Sequence, residues 1–462
     1  MRIRKLTLLF ILIVVLVPLD AQKSDSAYIP WKLDGANERI EMYRKGDRSL
    51  QFVLPDGSTL ATQAPVQFSL EKHAFNFGIS LVQSWGIYKL PDFEKYRQYM
   101  GEVFNYVTLG FFWSWIEKTE GELIENEHTI SNLEWAKRKH MTIKGVPLLW
   151  HQSLPGWLID IQDQERVEQL IHEHISYLLN HYPDVAHWGV YNEAIAANKS
   201  HVTPNSVTRW VDYKGGPEPA VASLLSLTHQ INPDKVYINN HYAYSDKEFK
   251  DLNQYLVSSG ADFDVIGIQA HMHAIPDRID EEQLWGSLEE YARFNKPIHL
   301  TEVSVISSES YADWQEVQEY DKRILNAWLQ KKIAPYRESK PDLECYQAAY
   351  LKDFYTLAFS HPSVETIVYW SGTDLNEWRG SAGGLLDRDY NPKPAYLTLK
   401  KLIKEEWNTI ISDHTGKDGK VTFRGFYGDY KGTIYIEDKE YMFSFTHSAI
   451  DNTDLHVNVE PK

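Results

Sequence analysis

The chain has 462 residues, 43% hydrophobic and 24% charged, a globular balance with enough length to bury a large core. Lys and Arg number 47 against 64 Asp and Glu, and the resulting charge of −17 excludes a nucleic-acid partner held by phosphate neutralisation. A single cysteine, Cys345, excludes an intramolecular disulfide and a cysteine-based zinc site. Aromatic residues reach 13%, with 15 Trp and 28 Tyr. Rings in that number either stack on apolar faces of a partner, commonly sugars, or fill a bulky core.

In chain order, Arg2, Arg4 and Lys5 precede an apolar run from Leu6 to about Leu19, the pattern of a secretory signal peptide over residues 1–22 with cleavage near Ala21. No cysteine follows the run, so no lipid anchor is expected, and the mature protein is expected to be secreted or periplasmic and monomeric. Residues 23–72 read as a β segment. Arg48–Leu54 runs into the turn Pro55-Asp56-Gly57, and Val66–Leu70 alternates apolar with polar. From 73 to 408 the texture changes to short apolar runs separated by helical patterns. The runs are 75–78, 106–108, 144–149, 187–191, 235–239, 265–268, 298–301 and 366–370, and amphipathic stretches such as 165–180 and 347–360 lie between them. Eight strands alternating with helices predict a (β/α)8 TIM barrel. Strand chemistry returns over 409–462, which is expected to join the N-terminal segment in one small β module. A structural cap is the favoured role for this module over a glycan-binding unit.

In such a barrel function lies just past the strand C-termini. The fourth run ends in Asn192-Glu193, the seventh in Thr301-Glu302, the sixth in Gln269-Ala270-His271, the third in Trp150-His151 and the eighth in Trp370. Two carboxyl groups at one barrel mouth are what glycoside hydrolysis requires, one protonated to donate to the leaving oxygen and one ionised to attack or to activate water. His271, His273 and His151 raise the alternative of a metal site, but no Asp or Glu is spaced to complete one, so neither metal nor cofactor is expected. His299, three residues before Glu302, is expected to face away from the site, against a helix.

These segments resemble the family 10 glycoside hydrolases, of the endo-β-1,4-xylanase type. His187-Trp-Gly-Val-Tyr-Asn-Glu193 is similar to that family's acid/base segment and His299-Leu-Thr-Glu302 to its nucleophile segment. Trp150-His151, Tyr237-Ile-Asn239, Gly267–His271, Tyr369-Trp370 with Trp378, and Leu385–Tyr396 follow in the family's order. The resemblance, over roughly residues 73–405, implies Glu193 as general acid/base and Glu302 as nucleophile of a retaining reaction. It also implies that Asn192 bonds the sugar 2-hydroxyl and that His271 orients Glu302. Gln269 and His151 would line the same sugar site, with Trp370 and Trp378 as its apolar floor and wall. Retention calls for the two carboxyls to lie about 5–5.5 Å apart.

The resemblance breaks after the second strand. Gly110, Phe111 and Ser114 stand where the family carries the Glu, Asn and Lys that bond glycone sugars, and Val146 replaces a family His. The expected function is therefore a secreted retaining β-glycoside hydrolase acting on a plant or microbial polysaccharide, with glycone specificity altered from plain xylan. Phe111, Phe112 and Trp113 are expected to wall the glycone side of the cleft. A conventional endo-1,4-β-xylanase, and a non-catalytic glycan-binding protein on the same scaffold, are the alternatives.

Overall fold

The computed structural model describes residues 30–200, 202–242, 244–273, 278–329, 335–449 and 454–462, so the expected signal peptide lies outside the described residues. Ala36–Tyr43, read from sequence as part of a β segment, is a helix. Its buried residues, Ala36 and Ile40, are four apart and form one helical face. Two strands follow, β1 (Lys45–Val53) and β2 (Pro65–His73).

The barrel begins with β3 (Asn76–Ser80), β4 (Tyr106–Gly110), β5 (Thr142–Val146), β6 (His187–Gly189), β7 (Val236–His241) and β8 (Val265–Ile268). After a two-residue strand β9 (His271–Met272) come β10 (Ile298–Val305) and β11 (Val364–Tyr369). Pairing runs β3-β4-β5-β6-β7-β8-β10-β11 with β11 back on β3, all parallel, so eight strands close the (β/α)8 barrel that the sequence predicts. The amphipathic stretches become the helices Gln164–His181 and Pro341–Ser360. No described helix is long and apolar enough to cross a membrane.

The lumen is unusually polar. Tyr106 Oη on β4 meets His187 Nδ1 on β6 at 3.0 Å, and the His187 ring stacks on His299 of β10 with centroids 5.8 Å apart. Neither pair lies on adjacent strands, so all three side chains point into the barrel. His299 therefore does not face a helix. The reason is a β-bulge: the β10–β11 register slips between Leu300 and Val303, which cancels the alternation on which the outward reading rests. Lys144 of β5 shares this interior, fully buried, with no hydrogen-bond partner for Nζ among the described residues.

The strands β12 (Ile410–His414), β13 (Lys420–Phe426), β14 (Gly428–Ile436), β15 (Lys439–His447), β16 (Leu455–Asn458) and β17 (Glu460–Pro461) complete the chain. β1 sits between β13 and β16, while β2 sits between β12 and β14, followed by β15 and β17. N- and C-terminal extensions thus build one β module, cored by Phe52, Phe68, Phe423, Tyr430, Phe443 and Phe445. It docks on the N-terminal end of the barrel. Arg44 donates to the carbonyls of Phe359, His361 and Val364, at the start of β11. That end of a barrel serves stability.

Lys144 generates a test. Burial pushes its ammonium down to about 8, against the opposing pull of the Glu302 charge. Between pH 8 and the unfolded value of about 10.4 the unfolded chain binds more protons, so this group makes stability rise with pH there, and at pH 7 its charge costs about 3 kcal/mol. Lys144→Met should raise the thermal midpoint at pH 7, with a gain that shrinks toward pH 10. Thermal denaturation at both values decides, and a lower midpoint at pH 7 would refute the assignment.

Candidate active site

Each strand end holds its neighbour's site residue by a backbone bond. Asn192 N donates to Leu149 O (2.9 Å), Glu193 N to Asn240 O (3.1 Å), Gln269 N to His241 O (2.9 Å), Glu302 N to Gln269 O (2.9 Å) and Trp370 N to Val303 O (2.8 Å). Glu193, and Ala270 next to Gln269, have left-handed backbone in a side-chain-bearing residue, with φ 58° and 68°. Such strain is retained where the surroundings fix it, commonly at functional sites.

The side chains converge as one network. Gln269 Nε2 donates to Glu193 Oε1 (2.8 Å) and approaches Asn192 Oδ1 (3.5 Å). Asn240 Nδ2 donates to Asn192 Oδ1 (2.9 Å) and to Glu302 Oε1 (3.1 Å), and Thr301 Oγ1 donates to Asn240 Oδ1 (2.7 Å). His271 Nε2 lies 3.2 Å from Glu302 Oε2, and its Nδ1 lies 2.8 Å from Ser304 Oγ. Gly267 makes the crossing possible, because a Cβ there would stand 2.5 Å from Asn240 Oδ1 and 3.2 Å from Thr301 Cγ2. Only glycine on β8 lets β7 and β10 reach each other across the lumen.

Burial raises the Glu193 carboxyl above its ordinary value. The hydrogen bond from Gln269 offsets part of this, and the charge of Glu302 raises it further. Burial also pushes the His271 imidazole down, against the pull of Glu302. A carboxyl raised by burial beside one that accepts from Asn240 and meets the His271 imidazole is the division of labour that acid and nucleophile need.

The indoles of Trp370 and Trp378 stand over His271, with centroids 5.8 and 5.1 Å away. The Gln83 amide, assigned with its oxygen toward both indoles, accepts from Trp370 Nε1 (2.5 Å) and Trp378 Nε1 (3.3 Å). His151 is buried at the network's edge, against Tyr191 at 6.0 Å, and its carbonyl accepts from Asn205 (2.8 Å). Of the residues singled out from sequence, Asn192, Glu193, Gln269, His271 and Glu302 are brought together by direct bonds. The two tryptophans wall them and His151 flanks them.

Asn240, Thr301, Ser304 and Gln83 were not singled out. Asn240 directly follows Asn239, the end of a matched segment, so the strand was found and its site residue lies one position beyond the match. Asn239 instead bonds Asn253 outside the barrel (3.1 Å).

The aromatic run after β4 divides. Phe111, 1% exposed, packs on Tyr182 and Trp188, and Trp113 stacks on His174 with centroids 4.1 Å apart, so both leave the cleft for the surrounding helices. Phe112 alone turns to the mouth, 4.6 Å from Trp115 and 5.9 Å from Trp150. The expectation of three aromatics walling the cleft is thus corrected to one, joined by Trp115 of the same segment and by Trp150. Among the described residues, His229, Asp262 and Asp264 approach closely enough to share a metal ion, at the opposite end of the strands.

The sequence model of "Glycosyl hydrolase family 10" matches residues 69–402. The chain belongs to glycosyl hydrolase family 10. Endo-1,4-beta-xylanase B of Thermotoga neapolitana is 26% identical over 357 residues, covering 74% of this chain and 92% of that protein. Anti-sigma-I factor RsgI6 of Acetivibrio thermocellus is 25% identical over 425 residues, 90% of this chain, and the chain spans 48% of its length. Xylanase 10B from Thermotoga petrophila, solved with xylobiose, superposes with a TM-score of 0.55 at 21% identity, covering 72% of this chain and 95% of that one, which shows the shared family 10 fold.

Two tests follow from the network. Asn240→Ala leaves Glu302 Oε1 and Asn192 Oδ1 without their shared donor, and should lower kcat/KM by about 10- to 100-fold in a folded protein. Gln269→Met removes the bond that lowers the Glu193 carboxyl, so the acid should stay protonated to higher pH and the alkaline limb of the pH–rate profile should move upward. A limb that moves downward would contradict the role of Gln269.

Proposed function

We propose that the protein is a secreted, retaining β-glycoside hydrolase that cleaves a plant or microbial polysaccharide, with glycone recognition altered from that of plain xylan. The observation that carries this reading is the unequal treatment of two carboxyl groups in one network. Burial raises the Glu193 carboxyl, while Glu302 accepts from Asn240 at one oxygen and meets the His271 imidazole at the other.

In the first step the Glu193 proton passes to the glycosidic oxygen while a Glu302 oxygen bonds the anomeric carbon. The aglycone leaves as an alcohol, and a glycosyl ester remains. In the second, the Glu193 carboxylate takes a proton from a water whose oxygen attacks the same carbon, and Glu302 departs as a carboxylate. Asn192, fixed by Gln269 and Asn240, would hold the 2-hydroxyl. Phe112, Trp115 and Trp150 would offer the glycone rings rather than hydroxyl partners, which favours short glycones or chain ends.

A conventional endo-xylanase is the second reading, supported by the likeness to Endo-1,4-beta-xylanase B across nearly its whole length. The binding-only reading is disfavoured, because a pure binder has no use for a raised carboxyl at Glu193.

Glu193→Gln and Glu302→Gln should each lower turnover by at least about 10²–10⁴-fold without unfolding the protein. Azide should rescue Glu302→Gly with inverted product. Full activity in either Gln variant would sink the mechanism. Product analysis on a panel of polysaccharides tests the specificity, and vigorous internal cleavage of plain xylan to xylobiose and xylotriose would restore the ordinary xylanase reading.

A further inference from the structure

A second carboxylate is wired to the nucleophile from behind. Beyond His271, Ser304 Oγ lies 3.5 Å from His273 Nδ1, and His273 Nε2 lies 3.4 Å from Glu377 Oε1. Glu377 and His273 are buried, with side chains 0% exposed. The other oxygen of Glu377 accepts from the backbone N–H groups of Arg379 (2.9 Å) and Ser381 (3.0 Å) and from Ser381 Oγ (3.0 Å), and Ser371 Oγ lies 3.5 Å from Oε1. Burial alone would raise this carboxyl. The bonds from His273, Ser381 and Arg379 outweigh it and hold the group below its ordinary value, hence ionised.

The chain Glu302–His271–Ser304–His273–Glu377 has four contacts, and each needs one hydrogen. Two neutral imidazoles and a hydroxyl carry three. With Glu302 an attacking carboxylate, as the proposed function requires, both ends only accept. A neutral chain would then leave one contact as lone pair against lone pair. If the empty contact fell at Glu302, the imidazole would repel the nucleophile it touches.

We propose that Glu377, acting through His273 and Ser304, is a positioning residue that keeps one additional proton on the His271–His273 pair, so that His271 always presents an N–H to Glu302. In this arrangement the positive charge sits on His273, whose Nε2 faces the buried Glu377 carboxylate. His273 Nδ1–H then donates to Ser304, the Ser304 hydroxyl to His271 Nδ1, and His271 Nε2–H to Glu302. Among the described residues, the other titratable or charged groups facing this chain are Glu193 and Arg379 beside His271, Lys144 near Glu302, and Arg379, Asp321, Asp374, Tyr311, Tyr336 and Tyr369 around Glu377. None of these replaces the Glu377 carboxylate at His273 Nε2, so its removal should release the additional proton at lower pH.

The test uses the full chain with Glu377→Gln, which keeps an acceptor of the same shape and loses the charge, and Glu377→Asp, which keeps the charge. An aryl β-xylobioside serves as substrate across the pH range. In Glu377→Gln the alkaline limb should fall about one unit earlier, so its deficit in kcat relative to the parent grows about tenfold between pH 6 and pH 8 while KM changes little. Glu377→Asp should restore the limb toward its parental position. Side-chain ¹⁵N shifts of histidine-labelled protein, assigned with His273→Gln, should show one imidazolium at pH 7 that is lost in Glu377→Gln.

A Glu377→Gln profile parallel to the parent at every pH, or two neutral imidazoles at pH 7 in the active parent, would overturn the proposal. Should Glu377→Gln fail to fold, the parental ¹⁵N spectrum decides. A parent that hydrolyses no glycoside would fail the proposed function, and the imidazolium signal would still report on the relay.

Discussion

Two carboxyl groups buried in one hydrogen-bonded network cannot both ionise freely, and the mouth of this barrel is arranged around that constraint. Amides do most of the work. Gln269 serves Glu193, Asn240 serves Glu302, and both converge on Asn192, so the position of each carboxyl depends on the other's support. The amides bind the pair together, and the Gln269 bond opposes the rise that burial and the Glu302 charge impose on the Glu193 carboxyl.

The barrel was legible because its strands are short apolar runs and its helices have amphipathic faces, and the strand ends were legible because catalytic groups cluster there. What escaped was of three kinds. Alternation along β10 fails across the bulge between Leu300 and Val303, so His299 lies in the lumen although the parity of side chains put it outside. Asn240 looks no different from Asn239 in sequence, and only the lumen-facing phase of β7 separates them. Phe111 and Trp113 were given to the cleft because they replace or neighbour cleft residues of the family. In the fold each satisfies a helix-packing site instead, Phe111 against Tyr182 and Trp113 flat on His174. The helix Ala36–Tyr43 was missed because two buried residues are too few to declare a period.

The aromatic excess resolves into both of its readings at once. One population fills the interior of the β module, with Phe68 touching four other rings. Another stands at the mouth, where Trp370 and Trp378 share the Gln83 amide and keep their indole N–H groups satisfied, with the Arg379 guanidinium over one face of Trp378. Composition alone could not divide the two, because the difference lies in which ring has a polar partner at its edge.

The β module interleaves the two ends of the chain: β1 lies between two late strands, and β2 lies between two others. A boundary drawn along the sequence therefore separates pieces that share a core. Peeling away either terminal segment strips hydrogen bonds from the other, so fraying cannot begin at one end and stop there. The module acts as a clasp whose halves open together, and Arg44 ties that clasp to the floor of the barrel. Amide exchange in the two terminal segments should accordingly share one opening event, although more than three hundred residues of barrel lie between them in the sequence.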